Sequence, residues 1–328
     1  MPKALSLLLP LLALPFTLAQ PSQVLDINFP DPAVIQTELG YYAFSTQSNG
    51  VRVPVARSDD FTSWTLLDGT DALPEPLPAW VRADNPQVWA PDVVQIDDGS
   101  FVMYFSAVAS SSGKHCIGAA TSSSITGPYA GQESPLACHT DEGGAIDPSG
   151  FHDTDGTRYV LYKIDGNSLN SDGTTHPTPI MLQRLASDGI IPAGDSIQIL
   201  DRDEADGPLV EAPSLLHVSG TYYLSFSSNW YNSLNYDVSY ATASAVSGPY
   251  TKAQAPDAPL LVSGDASDVG PLGGPGGADF LDATRMVFHA FNDGESIDSG
   301  RGMWVAGIEV KDGKITMQYA RYGSRAFL

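Results

Sequence analysis

The sequence predicts an all-β protein, a five-bladed β-propeller, and three observations lead to that prediction. Five proline-containing clusters recur along the chain at intervals of 57 to 65 residues. Each cluster is followed by two short extended runs around a Gly or Asp turn, with aromatic and β-branched residues in alternation. Almost no segment has helical periodicity. Repeats of four short strands are typical of a propeller, which protects its strand edges by radial repetition around a central channel.

The five clusters read FPDP, WAPD, IDPS, EAPS and GPGG, and their prolines are Pro32, Pro91, Pro148, Pro213 and Pro275. A second similarity appears later in three repeats, which read ARSDDFTSWT from Ala56, ATSSSITGPY from Ala120 and ATASAVSGPY from Ala241. These segments fit the turn between the third and fourth strands of a blade. A β-sandwich with chance spacing is the alternative, and the regular period favours the propeller.

Acidic residues stand at the beginning of three predicted innermost strands: Asp31, Asp147 and Glu211. Because the first strand of each blade lines the axis, we expect these carboxylates to converge on one central pocket. Like charges in a confined pocket separate in pKa, so that one carboxyl remains a base while another keeps its proton. Glycoside hydrolysis needs such a pair. A calcium site would use the same oxygen ligands, but nothing in the sequence resembles a compact calcium-binding loop.

The order of the motifs DP, WAPD, IDPS, EAPS and GPGG resembles glycoside hydrolase family 43, the five-bladed arabinanases, arabinofuranosidases and β-xylosidases. The resemblance covers essentially the whole chain after residue 19. It implies that Asp31 is the general base and Glu211 the general acid, with Asp147 as a third carboxylate that orients the acid and tunes its pKa. It also implies inversion at the anomeric carbon, with base and acid roughly 6.5–9.5 Å apart.

The resemblance implies smaller roles for other residues. Trp89 is predicted to line the sugar pocket, since an aromatic face suits the apolar side of a sugar ring. Phe29, Arg301 and His289 are predicted to contact substrate, Arg301 through its fixed fork of donors. For Phe29 and His289, packing inside the protein is the alternative. Asp92 has a matching place in the second repeat, and we expect only local hydrogen bonding from it.

Gly277 departs from the family pattern. Many relatives carry histidine after Gly-Pro-Gly, facing a metal and water cluster on the axis, whereas this chain has glycine there. The departure argues against an axial calcium ion, and we expect no required cofactor and no protein metal site.

Pro30, before Asp31, bears on the substrate. Endo-acting arabinanases of the family often have His-Asp-Pro at this place, and the Pro-Asp-Pro form resembles exo-acting members. No β-sandwich segment follows the fifth repeat, although many β-xylosidases of the family carry one. We therefore expect an exo-acting α-L-arabinofuranosidase on α-1,5-arabinan. A β-xylosidase, an endo-arabinanase, a fructan-cleaving enzyme and a noncatalytic sugar-binding propeller are the alternatives.

The N-terminus predicts export. Residues 1–19 combine Lys3, an apolar run and a small Ala19, which is typical of a secretory signal peptide. Residues 20–328 then form a single catalytic domain. Because cysteine pairs in exported proteins usually form disulfides, we expect a bond between Cys116 and Cys138.

Charge and hydropathy limit the partners. The chain has 16 basic and 38 acidic residues, with a formal net charge of −22. Such a field repels nucleic acid and anionic membrane surfaces. No segment after the leader is long and apolar enough to span a bilayer. We expect a secreted, extracellular monomer whose partner is a neutral polysaccharide or oligosaccharide.

Overall fold

A computed structural model describes residues 20–318 of the chain. The predicted signal peptide, residues 1–19, lies outside the described residues. Within the described range, no helix is long and apolar enough to cross a membrane.

Residues 20–318 contain 21 β-strands in five sheets, and the first strand is β1 (Ser22–Leu25). The first blade contains β2 (Ala33–Thr37), β3 (Gly40–Phe44), β4 (Pro54–Ser58) and β5 (Trp64–Asp71). The second contains β6 (Trp89–Gln95), β7 (Phe101–Val108), β8 (His115–Ser122) and β9 (Ala130–Gly131). The third contains β10 (Ala145–His152), β11 (Arg158–Ile164), β12 (Ile180–Leu185) and β13 (Ile197–Leu200).

The fourth blade contains β14 (Val210–Val218), β15 (Thr221–Ser228), β16 (Ser239–Ala243) and β17 (Thr251–Lys252). The fifth contains β18 (Gly276–Asp282), β19 (Arg285–Phe291) and β20 (Arg301–Lys311), with β21 (Lys314–Met317) paired to the end of β20. Neighbouring strands within each blade are antiparallel. Three short 3₁₀-helices lie in connections: Thr140–Glu142, Gly166–Asp172 and Ile297–Ser299.

The N-terminal strand closes the ring. β1 pairs antiparallel with β20, so that Ser22 lies opposite Val305 and Leu25 opposite Met303. The fifth blade is thus completed by a strand from the other end of the chain. This closure joins the first and last repeats through backbone hydrogen bonds, and the prediction of a five-bladed propeller is confirmed.

The innermost strands share an irregularity that aims side chains at the axis. In blades two to five, the register between the first and second strands shifts near the start of the innermost strand. β-bulges of this kind redirect side chains beside active sites. One residue at this point has positive φ in every blade: Asp31, Ala90, Asp147, Ala212 and Gly277.

These positive-φ residues correct the repeat alignment. The fifth blade aligns at Gly277 and Ala278, so Pro275 is not the equivalent of the other four prolines. The sequence predicted that the three acids occupy the same place in the repeat, and the structure shows that they do not. Asp31 and Asp147 are themselves the positive-φ residues at the start of their innermost strands. Glu211 instead comes one residue before the positive-φ residue of its strand, Ala212. The acids converge from two different backbone positions.

Hydrophobic clusters lie between neighbouring blades. Phe44 and Val55 of the first blade pack with Phe105 of the second, in a cluster that includes Met103. A similar cluster between the fourth and fifth blades contains Tyr240, Phe288 and Trp304. Such packing between blades buries the apolar faces of the sheets and holds the innermost strands at fixed positions around the axis.

Cys116 and Cys138 form a disulfide, with their Cα atoms 4.5 Å apart. The bond links β8 to the segment that precedes the third blade. The predicted pairing is confirmed.

Candidate active site

Asp31, Asp147 and Glu211 meet at one pocket near the axis. The pocket has a volume of about 310 Å³. The three carboxylates come from the first, third and fourth blades, which the propeller brings together around its centre. The other lining residues are Thr46, Trp89, Ile146, Asp165, Asn167, Leu209, Trp230, Tyr231, Tyr236 and Arg301.

Asp31 is held as an anion. Nη1 of Arg301 donates to its Oδ1 at 2.8 Å, and Oγ1 of Thr46 donates to its Oδ2 at 2.7 Å. Burial acts to raise the pKa of Asp31, but the Arg301 charge and these hydrogen bonds outweigh it and lower that pKa. A carboxylate that stays ionised while buried can accept a proton from water.

Asp147 has the opposite environment. Burial raises its pKa well above the ordinary value, and the negative charge of Glu211 raises it further. Its Oδ2 accepts the backbone N–H of Ala212 at 3.0 Å, a contact that joins the third and fourth blades. Asp147 therefore keeps a proton at pH values where Asp31 has lost its own. The pocket thus contains two carboxyls with separated proton affinities.

Glu211 is bound at both oxygens by residues that sequence reasoning missed. Nζ of Lys163 lies 2.9 Å from Oε2, and the hydroxyl of Tyr236 donates to Oε1 at 2.9 Å. Burial raises the pKa of Tyr236 well above its ordinary value, so the phenol stays protonated and remains a donor. Lys163 had one sequence signal, a single cation at the end of the otherwise apolar run YVLYKI in β11. Tyr236 had none.

Trp89 and Arg301 line the pocket, and their predicted contact with substrate stays a prediction. The Trp89 ring stacks on His115 with the ring centroids 3.8 Å apart. Burial lowers the pKa of His115 to about 4, so this wall is neutral near pH 7. The guanidinium of Arg301 lies over the ring of Tyr231, 4.8 Å from its centroid, while it donates to Asp31.

Two aromatic residues at the rim were not predicted. Trp230 and Tyr231 are 40% and 45% exposed and lie in the connection between β15 and β16. Exposed aromatic rings beside a pocket offer apolar faces on which sugars can stack. Their sequence signal was weak, because the segment NWYNSLNY has no periodicity and its position over the pocket depends on the fold.

The structure corrects the predictions for Phe29 and His289 as substrate contacts. Phe29 is fully buried in the cluster between the first and fifth blades, with Val34 and Met303. Its backbone N–H donates to the carbonyl of Arg301 at 2.7 Å. His289 is also fully buried, and neither residue lines the pocket. Both residues lie behind the wall of the pocket.

His289 packs behind Asp31. The backbone N–H of Asp31 donates to Nδ1 of His289 at 3.1 Å, and Nε2 lies 3.4 Å from Nη1 of Arg301. Burial, together with the Arg301 charge, lowers the pKa of His289 to about 3, so the ring is neutral. A neutral imidazole at this place supports the backbone of Asp31.

Gly277 and His289 together test whether a histidine-held axial metal fits this chain. A Cβ atom built on Gly277 would lie 2.7 Å from Cε1 of His289, so the His289 ring fills the space of a side chain at position 277. Both nitrogens of that ring already face Asp31 or Arg301. Among residues 20–318, no group of three or more His, Cys, Asp or Glu residues is arranged to hold a metal. The residues present do not fit such a metal.

The arrangement as a whole defines a class of protein. A five-bladed propeller presents, in one pocket, an ionised carboxylate, a carboxyl that keeps its proton and a third carboxylate with two hydrogen-bond donors. Such a set matches the acid and base requirements of glycoside hydrolysis.

The family follows from comparison with known sequences. The family model for glycosyl hydrolases family 43 matches residues 21–315. The chain therefore belongs to this family of glycoside hydrolases, for which inversion is characteristic.

Relatives within the family differ in specificity. The chain is 29% identical over 276 residues to extracellular endo-α-(1→5)-L-arabinanase 1 of Bacillus subtilis (strain 168), covering 80% of each chain. It is 27% identical over 239 residues to a xylan 1,3-β-xylosidase from Vibrio sp, covering 71% of this chain and 42% of the relative. Two further endo-arabinanases are matched over 33% of their length.

The fold is shared with solved structures. A thermostable family-43 glycoside hydrolase superposes with a TM-score of 0.74 at 24% identity, covering 89% of this chain and 93% of the other. This similarity supports the five-bladed fold and does not indicate the substrate.

Proposed function

We propose that this enzyme hydrolyses α-1,5-linked L-arabinan or arabino-oligosaccharides with inversion and removes terminal arabinofuranose. The observation that carries the chemistry is the convergence of three carboxyls with different electrostatic surroundings on one pocket. Arg301 and Thr46 keep Asp31 ionised, whereas burial and the charge of Glu211 keep Asp147 protonated. The ionised Asp31 is therefore assigned as the base, and the proton that Asp147 holds is available to the neighbouring acid.

Asp31 is the general base in this proposal. It takes a proton from a water molecule as that water attacks the anomeric carbon. Glu211 is the general acid and protonates the oxygen of the departing sugar. Asp147 and Glu211 share one proton: it rests on Asp147 while Glu211 is an anion, and Glu211 acts as the acid once the proton has passed to it. Inversion follows because water and leaving group occupy opposite faces of the sugar ring.

A neutral sugar polymer suits the protein and the pocket. The net charge of −22 disfavours an anionic substrate. Trp89, Trp230 and Tyr231 present aromatic surface, and Arg301 presents donors for sugar hydroxyls. The similarity to an endo-arabinanase over 80% of both chains favours arabinan over xylan.

The cleavage position has two candidates. Pro30 before Asp31 resembles the exo-acting pattern and favours terminal cleavage. The relatives named endo-arabinanases favour internal cleavage as the second candidate. β-Xylosidase activity is a further alternative, and the chain spans 42% of the β-xylosidase relatives that it matches in sequence.

We further infer that the protein is secreted, metal-independent and monomeric. The leader-like residues 1–19, the disulfide and the extracellular names of similar arabinanases support secretion. The poor fit of the axis to a histidine-held metal supports activity without a cofactor. The acidic surface supports a monomer without nucleic-acid or membrane partners.

A product analysis tests the function. The enzyme is incubated with linear α-1,5-arabinan, xylo-oligosaccharides and sucrose, and the first-formed anomer is followed by NMR. Arabinose alone, released with inversion, is expected. A ladder of arabino-oligosaccharides would show endo action, xylose would show a β-xylosidase, and retention or the absence of all products would contradict the proposal. The D31N variant is the control for contaminating activity.

A further inference from the structure

Lys163 is a buried cation that the proposed mechanism does not use. It lies in β11, and its side chain is 0% exposed. Its Nζ lies 2.9 Å from Oε2 of Glu211 and 3.2 Å from Oδ1 of Asp165. Burying an ammonium group is costly unless charged partners surround it. A lysine at this place therefore has its position and charge determined by the two carboxylates.

Acidic side chains face Lys163 from three elements. Glu211 faces it from β14, Asp165 from the residue after β11, and Asp147 from β10. Burial acts to lower the pKa of Lys163, but these carboxylates outweigh it and raise that pKa above its ordinary value. Lys163 is thus an ammonium ion throughout the pH range of a carboxyl-based enzyme.

Lys163 lies behind the pocket. Glu211 and Asp165 line the pocket, whereas Lys163 does not. Any effect of Lys163 on the reaction therefore passes through the pocket residues that it contacts, Glu211 and Asp165. The hydroxyl of Tyr236 holds the other oxygen of Glu211, so the carboxylate is fixed at both ends and its plane cannot rotate without losing one contact.

We propose that Lys163 is a positioning residue for the general acid: its ammonium, shared between Glu211 and Asp165, holds one oxygen of the Glu211 carboxyl in place. The inference rests on the proposed function of Glu211. It assigns Asp165 a role as well: its negative charge offsets part of the Lys163 charge that acts on Glu211.

Two substitutions should move the pH profile in opposite directions. In K163M, Glu211 loses its counter-ion and keeps its proton to higher pH, so the alkaline limb of kcat/KM moves up by about one pH unit or more. In D165N, the whole Lys163 charge acts on Glu211, so the alkaline limb moves down. Lys163→Arg keeps the charge and leaves the limb near its wild-type position.

A comparison of leaving groups separates positioning from folding. Arabinotriose needs a proton on its leaving oxygen, whereas p-nitrophenyl α-L-arabinofuranoside releases a phenolate that needs little help. K163M should lower kcat on arabinotriose about tenfold more than on the aryl substrate, because a misplaced acid slows only protonation. The KM values of the variant and wild type should stay similar.

Measured pH profiles of wild type, K163M, K163R and D165N on both substrates decide the inference, with circular dichroism as the check on folding. If K163M does not fold, the direction of the D165N shift decides it. An unmoved alkaline limb in folded K163M, or an upward shift in D165N, would overturn the role of Lys163 while the wild-type activity stands. A wild type without activity on any sugar would instead overturn the proposed function and this inference with it.

Discussion

Two sets of buried carboxyls line the axis of this propeller, and only one faces the sugar pocket. Asp31, Asp147 and Glu211 line the pocket. Asp92 and Asp279 lie two residues beyond the positive-φ residues Ala90 and Gly277, on the same innermost strands. A cavity of about 40 Å³ lies between the sets and is lined by Asp31 and Asp147 as well as by Asp92 and Asp279.

The two sets differ in their partners. Asp31 and Glu211 contact the cations Arg301 and Lys163. Asp92 accepts backbone N–H groups from Val93 and Gly150. Asp279 accepts the N–H of Val34 and the hydroxyl of Ser214.

These uncharged hydrogen-bond donors do not offset the effect of burial on the pKa values of Asp92 and Asp279. Burial raises the pKa of Asp92 to about 6, and burial together with the charge of Asp92 raises that of Asp279 to about 8. A raised pKa alone therefore does not identify the catalytic carboxyls. Among these axial residues, the proposed catalytic site is distinguished by fixed cations at Asp31 and Glu211, and the Arg301 charge keeps Asp31 ionised.

The largest expected effect tests the ionised member of the pocket set. Asp31→Asn removes the group that accepts a proton from water, and kcat should fall by about 10²- to 10⁴-fold. Substrate binding should change little, because Asn keeps the size of the side chain. Steady-state kinetics and calorimetric titration with arabinotriose measure the two quantities. Comparable rates in D31N and wild type would remove Asp31 from the mechanism.

Arg301 tests whether a cation accounts for the difference between the two sets. Because the Arg301 charge lowers the pKa of Asp31, its loss in Arg301→Gln should raise that pKa. The base is then ionised only at higher pH, so the acidic limb of kcat/KM should move up by about one pH unit. KM should also rise, since Arg301 lines the pocket.

Arg301→Lys is the matched control for this variant. It keeps the positive charge but not the planar fork of donors. Its acidic limb should lie closer to that of wild type than the limb of R301Q does. Equal shifts in both variants would show that geometry, and not charge, keeps Asp31 ionised.

Asp279 should affect stability more than turnover. Its folded-state pKa of about 8 lies above the unfolded value near 4, so the folded protein binds more protons between these pH values. This contribution to the free energy of unfolding is complete below about pH 4 and is lost as pH rises to 8. In D279N, Tm should therefore fall less steeply between pH 5 and 8 than in wild type.

Asp282→Asn is a suitable control for Asp279, since its carboxylate lies on the same strand and pairs with Arg285 at the rim. Thermal melts at several pH values measure the slopes of all three proteins. A D279N slope equal to that of wild type would show that Asp279 is ionised in the folded protein, and the contrast between the two sets would disappear.

Much of the fold was readable because the chain repeats. The recurrence of an acid or Ala beside proline identified the first four blades. In the fifth blade Gly277 was matched to the acids, but the period was counted from Pro275, whereas the bulge contains Gly277 and Ala278 and has no proline. β1 was not recognised as part of the last blade, since strand pairing between the chain ends leaves no local pattern.

The sequence by itself determined the period, the strand and turn pattern, the cysteine pair and the acids Asp31, Asp147 and Glu211, since each depends on local residue preferences or on recurrence. Only the tertiary structure decided which cations face those acids. Lys163 and Arg301 come from strands of the third and fifth blades, and Tyr236 from a connection of the fourth. Electrostatic interactions act through space over a few ångströms. The protonation of the site was therefore settled by packing between distant segments.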